Sequence, residues 1–317
     1  MKAYLLGALV AFFATLILTA LLIPVLRRLK AGQNILSYVK EHQGKGGTPT
    51  MGGLAFTVAA IVCALLFSPT KNRVLIVACV IGGAYMLVGL LDDLLKKKHG
   101  KNLGLTALQK LLFQTAVAVI AGIYCAREDL TALNVPFLGA SFDVGWFMLP
   151  LSVFVFLATV NAVNLTDGLD GLAAGTSVPF FLAVGLVLCA QSGDSGLATL
   201  CFCLVGALAA YLVFNVPKAS VFMGDTGSLA LGGFASGVCL FSGNALYIPL
   251  VGIMFVVSVI TVVVQVIYYK ATGGKRVFLM APVHHHFQER GHAESKIAYA
   301  YAVITAAVGA VCLLALL

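Results

Sequence analysis

The chain has 317 residues, of which 61% are hydrophobic and only 10% carry a charge. Soluble globular domains carry about 25% charged residues, so this composition excludes an ordinary soluble protein and predicts an all-α polytopic membrane protein. The formal net charge is +8, but the basic residues are spread over short loops, which argues against a nucleic-acid-binding protein. No polar segment is long enough for a second domain, so residues 1–317 are predicted to form one integral membrane domain.

About ten transmembrane helices are predicted from apolar runs, since a spanning helix needs about 20 residues. In chain order the runs cover residues 3–26, 51–68, 73–91, 105–125, 146–162, 172–190, 196–214, 227–243, 245–269 and 297–317. Most of the lysine and arginine residues fall into alternate loops, and the positive-inside rule assigns those loops to the cytoplasm. An even number of spans then places both termini outside and an active site built from these loops at the cytoplasmic face.

Five aspartates follow odd-numbered runs, at the predicted cytoplasmic ends of those helices: Asp92 and Asp93 after the third, Asp167 and Asp170 after the fifth, and Asp225 after the seventh. Adjacent carboxylates such as Asp92 and Asp93 repel each other unless a proton or a cation relieves them. The pair therefore favours a general base or a metal-assisted reaction, with solvated acids at a helix end as the alternative. Asp225 suits magnesium, which needs only one or two carboxylates besides substrate phosphates; the alternative is a cap for the eighth helix.

The short stretch NLTDGLDG, residues 164–171, joins two apolar runs. If it is helical, Asn164, Asp167 and Asp170 lie three residues apart on one face. Such a stripe can hold a magnesium-phosphate group or the edge of a nucleobase. Gly168 has no side chain and lets a flat ring approach the backbone. A polar turn built on the glycines is the alternative.

Three consecutive histidines, His284, His285 and His286, lie in the last predicted cytoplasmic loop. We expect them to donate hydrogen bonds to phosphate or sugar oxygens, with neutral and charged forms both accessible near pH 7. A zinc site is less favoured, because three consecutive side chains of a helix cannot all point at one ion, and a solvated loop is a further alternative. Lys45 and Lys110 are candidate phosphate clamps. Together these groups predict a site where a phosphorylated substrate meets a lipid phosphate across a divalent cation.

Five motifs in these loops resemble the MraY family, the bacterial phospho-N-acetylmuramoyl-pentapeptide transferases among the polyprenyl-phosphate N-acetylhexosamine 1-phosphate transferases. They are GTPTMGG (47–53), LLDD (90–93), NLTDGLDG (164–171), FMGDTGS (222–228) and APVHHHF (281–287). The resemblance implies transfer of phospho-MurNAc-pentapeptide from UDP-MurNAc-pentapeptide to undecaprenyl phosphate, which gives lipid I and UMP in peptidoglycan synthesis. It also implies Mg²⁺ as cofactor, a homodimer, and a place in the bacterial cytoplasmic membrane with the active site facing the cytoplasm.

The resemblance also implies roles for single residues. It implies catalytic roles for Asp92, Asp93, Asp225 and His284, with Asp225 as the magnesium ligand and the acidic pair activating the lipid phosphate or assisting the metal. It implies substrate contacts from residues that match further positions of the motifs and nearby loops: Lys45, Thr50, Lys110, Asn164, Asp167, Gly168, Leu169, Asp170, Asn215, Phe222, His285 and His286. Gln288 and Glu289 depart from the family's usual pattern after the histidines.

Two other functions share part of these features. A transferase that uses UDP-N-acetylglucosamine shares the aspartate core, so that only the choice of donor distinguishes it. A secondary transporter also places carboxylates near membrane helices, but normally near the bilayer midplane, whereas the five aspartates here lie at one edge. For the transfer itself, direct attack by the lipid phosphate and a covalent intermediate on an aspartate both fit the residues.

Overall fold

The computed structural model describes residues 2–29, 47–99 and 103–316. The predicted site residue Lys45 therefore lies outside the described residues. Most of the described chain is α-helical, and short 3₁₀ turns precede α5 and α9. The helices are α1 (Lys2–Arg28), α2 (Gly53–Phe67), α3 (Arg73–His99), α4 (Ala107–Arg127), α5 (Met148–Thr166), α6 (Leu172–Ala190), α7 (Ser195–Asn215), α8 (Gly224–Phe241), α9 (Ile248–Val251), α10 (Ile253–Ala271), α11 (Val283–Glu289) and α12 (Glu294–Leu314).

Eight helices in the described ranges are long and apolar enough to cross a membrane, namely α1, α3 to α7, α10 and α12. Of the two others that coincide with predicted spans, α2 is apolar but has only 15 residues, and α8 begins with the polar sequence GDTGS. Each predicted run except 245–269 coincides with one helix. The prediction of an all-α polytopic membrane protein is confirmed.

Two of the helices differ from their predicted extents. The run 245–269 is not continuous: a 3₁₀ turn and α9 occupy its first residues, and α10 starts only after Gly252 (φ −86°, ψ +25°). Glycine is a poor helix former, which favours a break at this position. α3, in contrast, continues beyond residue 91 to His99. Its last turns therefore carry Asp92, Asp93 and Lys96 past the end of the apolar run.

A β-hairpin lies between α4 and α5, where the sequence predicts only a loop. β1 (Ala132–Val135) pairs antiparallel with β2 (Ala140–Asp143), with the first residue of β1 opposite the last residue of β2. The side-chain nitrogen of Asn134 donates a hydrogen bond to Oδ1 of Asn244 (3.1 Å), which ties the hairpin to the turn after α8. Because the hairpin joins the end of α4 to the start of α5, it lies at the opposite end of these helices from the candidate site.

α8 lies at the centre of the helix bundle. All of its residues from Thr226 to Phe241 are buried, and it packs against α3 and α5. Small residues commonly let membrane helices approach closely. Gly232 has this role between α8 and α5, because a Cβ at Gly232 would lie only 2.4 Å from Cα of Val160 in α5. The start of α8 is thereby held between two neighbouring helices, and its first turn carries Asp225.

Candidate active site

Three of the predicted aspartates converge from two helices. Asp92 and Asp93 in α3 are 2% and 4% exposed, and Asp225 lies in the first turn of α8. One carboxylate oxygen of each lies within 4.8 Å of the other two. The helices come this close because Gly89 has no side chain: a Cβ there would lie 2.0 Å from the carbonyl oxygen of Asp225. The structure thus brings the adjacent Asp92 and Asp93 together with Asp225, which lies 132 residues after Asp93, and all three were predicted as site residues from their positions at helix ends.

Asp93 holds the first turn of α8 in place. Its Oδ2 accepts hydrogen bonds from the backbone nitrogen (2.9 Å) and from Oγ1 (2.7 Å) of Thr226, and its Oδ1 accepts one from the backbone nitrogen of Asp225 (3.3 Å). A carboxylate here satisfies nitrogens that lack partners at a helix N-terminus and interacts favourably with the helix dipole. The alternative interpretation of Asp225 as the cap of this helix is wrong, since the capping carboxylate comes from α3.

Two ammonium groups contact the same oxygen of Asp225. Nζ of Lys96 and Nζ of Lys110 each lie 2.8 Å from Asp225 Oδ2, and Nζ of Lys96 also lies 2.6 Å from Oδ2 of Asp92. Lys110 is one of the predicted site residues. Lys96 is not, because in the sequence it serves only as one of the basic residues that indicate a cytoplasmic loop. Its spacing of four residues from Asp92 is the signal that could have identified it, because side chains at i and i+4 of a helix are neighbours.

Every carboxylate oxygen of this cluster contacts a donor. Asn164, from the last turn of α5, donates to Oδ1 of Asp225 (2.8 Å), and the two lysines contact the other oxygen. Oδ1 of Asp92 accepts a hydrogen bond from the backbone nitrogen of Leu105 (2.6 Å), and Lys96 contacts its Oδ2. Buried carboxylates with such partners are fixed in orientation. Asn164 and Lys110 therefore join the aspartates in one connected network, as predicted for residues of a common site.

The oxygens of this cluster fit a magnesium ion. Magnesium prefers oxygen ligands and is usually held by one or two carboxylates together with waters and substrate phosphates. The three aspartates supply closely spaced oxygens with little exposure to solvent. The ammonium group of Lys96 already lies between two of these carboxylates, so the position stabilises a cation.

The NLTDGLDG segment forms turns and is not one helical face. α5 ends before Asp167, and Gly171, whose φ is +73°, directly precedes α6. Asp170 is 3% exposed, and its Oδ2 accepts a hydrogen bond from the backbone nitrogen of Ala219 (3.1 Å), whereas Asn164 contacts the aspartate cluster. The predicted helical stripe of three polar residues is therefore wrong, because the helix stops after the first of them.

The predicted residues Asn215, Phe222 and Thr50 lie on segments next to these turns. Oδ1 of Asn215 accepts a hydrogen bond from the backbone nitrogen of Gly171 (3.2 Å). The backbone nitrogen of Phe222 donates to the carbonyl oxygen of Pro49 (2.8 Å). The GTPTMGG segment, which contains Thr50, therefore runs beside the start of α8.

The three histidines lie in the short helix α11, and their rings point in two directions. His284 and His285 pack against Gly168: a Cβ there would lie 2.4 Å from Nε2 of His284 and 2.8 Å from Nε2 of His285. His286 contacts the segment before the helix, where its Nδ1 accepts a hydrogen bond from the backbone nitrogen of Leu279 (3.1 Å). Gly168 was predicted to let a flat ring approach the backbone, and the rings that do so in this structure are the imidazoles of His284 and His285. Two of the three histidines therefore face the turn after α5.

His284 is fully buried, and neither of its ring nitrogens has a hydrogen-bond partner within the described residues. Burial and the neighbouring His285 lower the pKa of His284 to about 3, so the ring is neutral near pH 7. The expectation that both forms are accessible is wrong for this residue, because burial disfavours the charged form. Because the ring is fully buried, a bound molecule reaches these nitrogens only when α11 or the turn at Gly168 moves.

Two residues outside the predicted set connect the histidine helix to the turn. Gln288 is 7% exposed; its Oε1 lies 3.0 Å from Nδ1 of His285, and its Nε2 donates to Oε1 of Glu294 (3.2 Å). Oε2 of Glu294 accepts a hydrogen bond from the backbone nitrogen of Asp170 (3.2 Å). Gln288, one of the two departures from the family's pattern, thus holds His285 in place. No local signal in the sequence predicts this network, since Asp170 and Glu294 are 124 residues apart.

Leu169 and Asp167 have different surroundings within the same turn. Leu169 is 5% exposed and packs into a small apolar cluster with residues of α10 and α12, so it anchors the turn. Burial and the charges of nearby aspartates, Asp225 foremost, raise the pKa of Asp167 to about 8. The carboxyl of Asp167 therefore retains its proton near pH 7 in the structure as it stands.

We expect Asp93→Asn to lower the thermal stability of the protein. Asparagine presents an NH₂ group to donors that now share a carboxylate, so at least one buried hydrogen bond is lost at a cost of about 1–3 kcal/mol. Thermal unfolding in detergent measures the change in Tm. Asp129→Asn makes the same chemical change at an exposed position and is the matched control. The same Tm for both variants would contradict the capping role of Asp93.

The raised pKa of Asp167 predicts a pH-dependent contribution to stability. The folded protein keeps this proton up to about pH 8, whereas the unfolded chain releases it near pH 4, so the contribution is lost as the pH rises between these values. We expect the Tm in EDTA to fall between about pH 5 and pH 8, and to fall less for Asp167→Asn, which does not ionise. Equal slopes for the two proteins would show that Asp167 titrates normally.

The chain is similar to known proteins along most of its length. A family model described as glycosyl transferase family 4 matches residues 73–243. A phospho-N-acetylmuramoyl-pentapeptide-transferase of Listeria monocytogenes serotype 4b (strain CLIP80459) is 42% identical over 296 residues, which cover 91% of this chain and 90% of the relative. A protein of the same description from Clostridium perfringens (strain SM101 / Type A) is 42% identical over 299 residues, or 93% of this chain and 91% of the relative. The chain therefore belongs to glycosyl transferase family 4 and, within it, to the family of the phospho-N-acetylmuramoyl-pentapeptide transferases.

Proposed function

We propose that this chain transfers phospho-MurNAc-pentapeptide from UDP-MurNAc-pentapeptide to undecaprenyl phosphate, which gives lipid I and UMP in peptidoglycan synthesis. The observation that carries the proposal is the buried cluster in which Asp92, Asp93 and Asp225 meet Lys96 and Lys110 at the ends of apolar helices. A transfer between two phosphate groups needs mainly positioning and charge neutralisation from the protein. The names of the two relatives described above support the same activity.

We assign Mg²⁺ to the aspartate cluster, with Asp225 as ligand and Asp92 and Asp93 as supporting carboxylates. When bound, the ion would offset the charge on the phosphate oxygens during the transfer. Asp93 holds the first turn of α8, so its contribution is to position Asp225. Lys110 lies beside Asp225 and within 3.5 Å of Oδ1 of Asn164, and its ammonium group is the proposed clamp for a substrate phosphate.

We place the uridine half of the donor at the turn after α5, beside Phe222, and the sugar-peptide half at His284 and His285. Supporting this placement, Asp170 and Asn215 hold the turn against neighbouring segments, and both imidazoles pack on it. A neutral His284 can exchange a hydrogen bond with a sugar oxygen without the cost of a buried charge. The remaining predicted substrate contacts are Lys45, Thr50, Asp167, Gly168, Leu169 and His286.

For the transfer itself we favour direct attack by the lipid phosphate over a covalent intermediate on an aspartate. A nucleophilic carboxylate needs an accessible oxygen, and every oxygen of Asp92, Asp93 and Asp225 contacts a donor. A lipid phosphate is already ionised near pH 7 and is a competent nucleophile. Asp92, which contacts Lys96, is the proposed acceptor for any remaining proton.

We place the cluster at the cytoplasmic face of a bacterial cytoplasmic membrane, with both termini outside. The positive-inside rule supports this orientation, and UDP-linked donors are made in the cytoplasm. The chain is proposed to act as one integral membrane domain and to form a homodimer, as the family resemblance implies. The secondary-transporter alternative is not favoured, because the carboxylates lie at the ends of helices and the chain belongs to a transferase family.

The first experiment compares two donors. Purified protein in detergent, with undecaprenyl phosphate and Mg²⁺, should release UMP from UDP-MurNAc-pentapeptide and not from UDP-N-acetylglucosamine, and EDTA should abolish the release. Asp225→Asn should remain folded and release no UMP, since its amide is a much weaker ligand than a carboxylate. UMP released from UDP-N-acetylglucosamine alone would favour the alternative transferase, and full activity of Asp225→Asn would contradict the metal assignment.

Isotope exchange distinguishes direct attack from a covalent intermediate. With direct attack, labelled UMP should not enter UDP-MurNAc-pentapeptide in the absence of undecaprenyl phosphate, because no transferred group is stored on the protein. With the lipid present, the reverse reaction should incorporate the label, which serves as the positive control. Incorporation without the lipid, lost in Asp92→Asn, would instead establish a covalent intermediate.

A further inference from the structure

Lys96 occupies a cation position in the aspartate cluster. Its Nζ lies 2.6 Å from Oδ2 of Asp92 and 2.8 Å from Oδ2 of Asp225, which are distances of charge-assisted hydrogen bonds. Both carboxylates belong to the set that fits a divalent ion. A metal ion bound to Oδ2 of Asp225 would share one oxygen with the ammonium groups of Lys96 and Lys110, and the positive charges would repel each other. A metal ion and a lysine therefore compete for the same carboxylate oxygens.

The two lysines differ in their exposure to solvent and in the polar groups near them. The side chain of Lys96 is 35% exposed and that of Lys110 is 19% exposed. Lys96 lies in the last turns of α3, next to the exposed Lys97 and Lys98, whereas Lys110 also lies within 3.5 Å of Oδ1 of Asn164. Lysine carries its charge on a flexible four-carbon stem, so the ammonium group of Lys96 can move while the backbone of α3 stays in place.

The charge balance of the cluster shows what such a movement would achieve. When all three carboxylates are ionised, they and the two ammonium groups leave one net negative charge. A divalent ion added without any other change would make the cluster net positive, and the phosphate groups of a substrate would reverse the sign again. Moving a cationic side chain from carboxylates to phosphates leaves the total charge of the site unchanged, but the ammonium group stays beside negative charge in both states, which matters because an unpaired charge is costly away from water.

We propose that Lys96 is an exchangeable counter-ion, which is shared by Asp92 and Asp225 before the metal binds and is displaced by the metal onto the phosphate groups of the substrate. The inference rests on the proposed function, since it needs a metal ion at Asp225. Lys96 is then a positioning residue that weakens metal binding in the free protein and couples it to phosphate binding. Such coupling is reciprocal, so each ligand raises the affinity for the other.

Binding of Mn²⁺, measured by electron paramagnetic resonance on purified protein, tests this exchange without turnover. We expect Lys96→Met to bind Mn²⁺ at least about fivefold more tightly than the unaltered protein when no nucleotide is present, because the competing cation is gone. We expect UMP to raise the Mn²⁺ affinity of the unaltered protein and to raise that of Lys96→Met by a smaller factor. Size-exclusion profiles and Tm values establish that each variant is folded.

Two further variants control for charge. Lys97→Met removes the same charge from the neighbouring exposed residue of α3, and we expect it to bind Mn²⁺ as the unaltered protein does. Lys96→Arg keeps a cation near both carboxylates, and we expect it to bind Mn²⁺ weakly again. Equal tightening in Lys97→Met, or unchanged or weaker binding in Lys96→Met, would overturn the exchange.

Asp225→Asn separates a failure of this inference from a failure of the proposed function. If Mn²⁺ binding is lost in Asp225→Asn while Lys96→Met binds as the unaltered protein does, the metal assignment stands and the role of Lys96 is refuted. If Mn²⁺ binding does not depend on Asp225 at all, the metal assignment fails, and the inference about Lys96 fails with it.

Discussion

The contact between the Asp93 carboxylate of α3 and the first turn of α8 is the interaction on which the rest of the site depends. α8 starts at Gly224, and the first backbone nitrogens of any helix lack intrahelical acceptors, which is most costly away from water. Asp93 supplies the missing acceptor, and the absence of a side chain at Gly89 allows the two helices to approach closely enough. Asp225 is held in a fixed place as a result, and the lysines and Asn164 assemble around it.

The clustering of charged side chains around the first turn of α8 indicates a functional site. Removing carboxylates and ammonium groups from water is costly, and a buried ionic cluster is often no more stable than an apolar core of similar shape. Ionisable residues near membrane helices are therefore typical of functional sites. Here each carboxylate oxygen contacts a donor, so the arrangement is stable enough to persist. It also remains open to exchange, because the side chain of Lys96 is 35% exposed.

Much of the architecture follows from the sequence because a bilayer imposes simple requirements. A spanning helix needs about 20 apolar residues, and the apolar runs accordingly coincide with helices, apart from the break at Gly252. Helices that end on the same side of a membrane place their terminal residues at similar depth. For this reason the positions of Asp92, Asp93 and Asp225 at the ends of apolar runs were sufficient to predict that they share a site. The motifs themselves carried the resemblance to the family that the comparisons confirm.

The sequence alone does not predict which residue each polar side chain of the site contacts. Asn164 and Asp170 belong to one short motif, yet they face different neighbours because α5 ends between them. Three consecutive histidines divide between two segments, and Gln288 reaches the turn after α5 only through Glu294. These contacts join segments that are far apart in the chain, so they arise only when the helices pack. Local patterns thus establish which residues are available at one face of the membrane, while helix packing selects which of them touch.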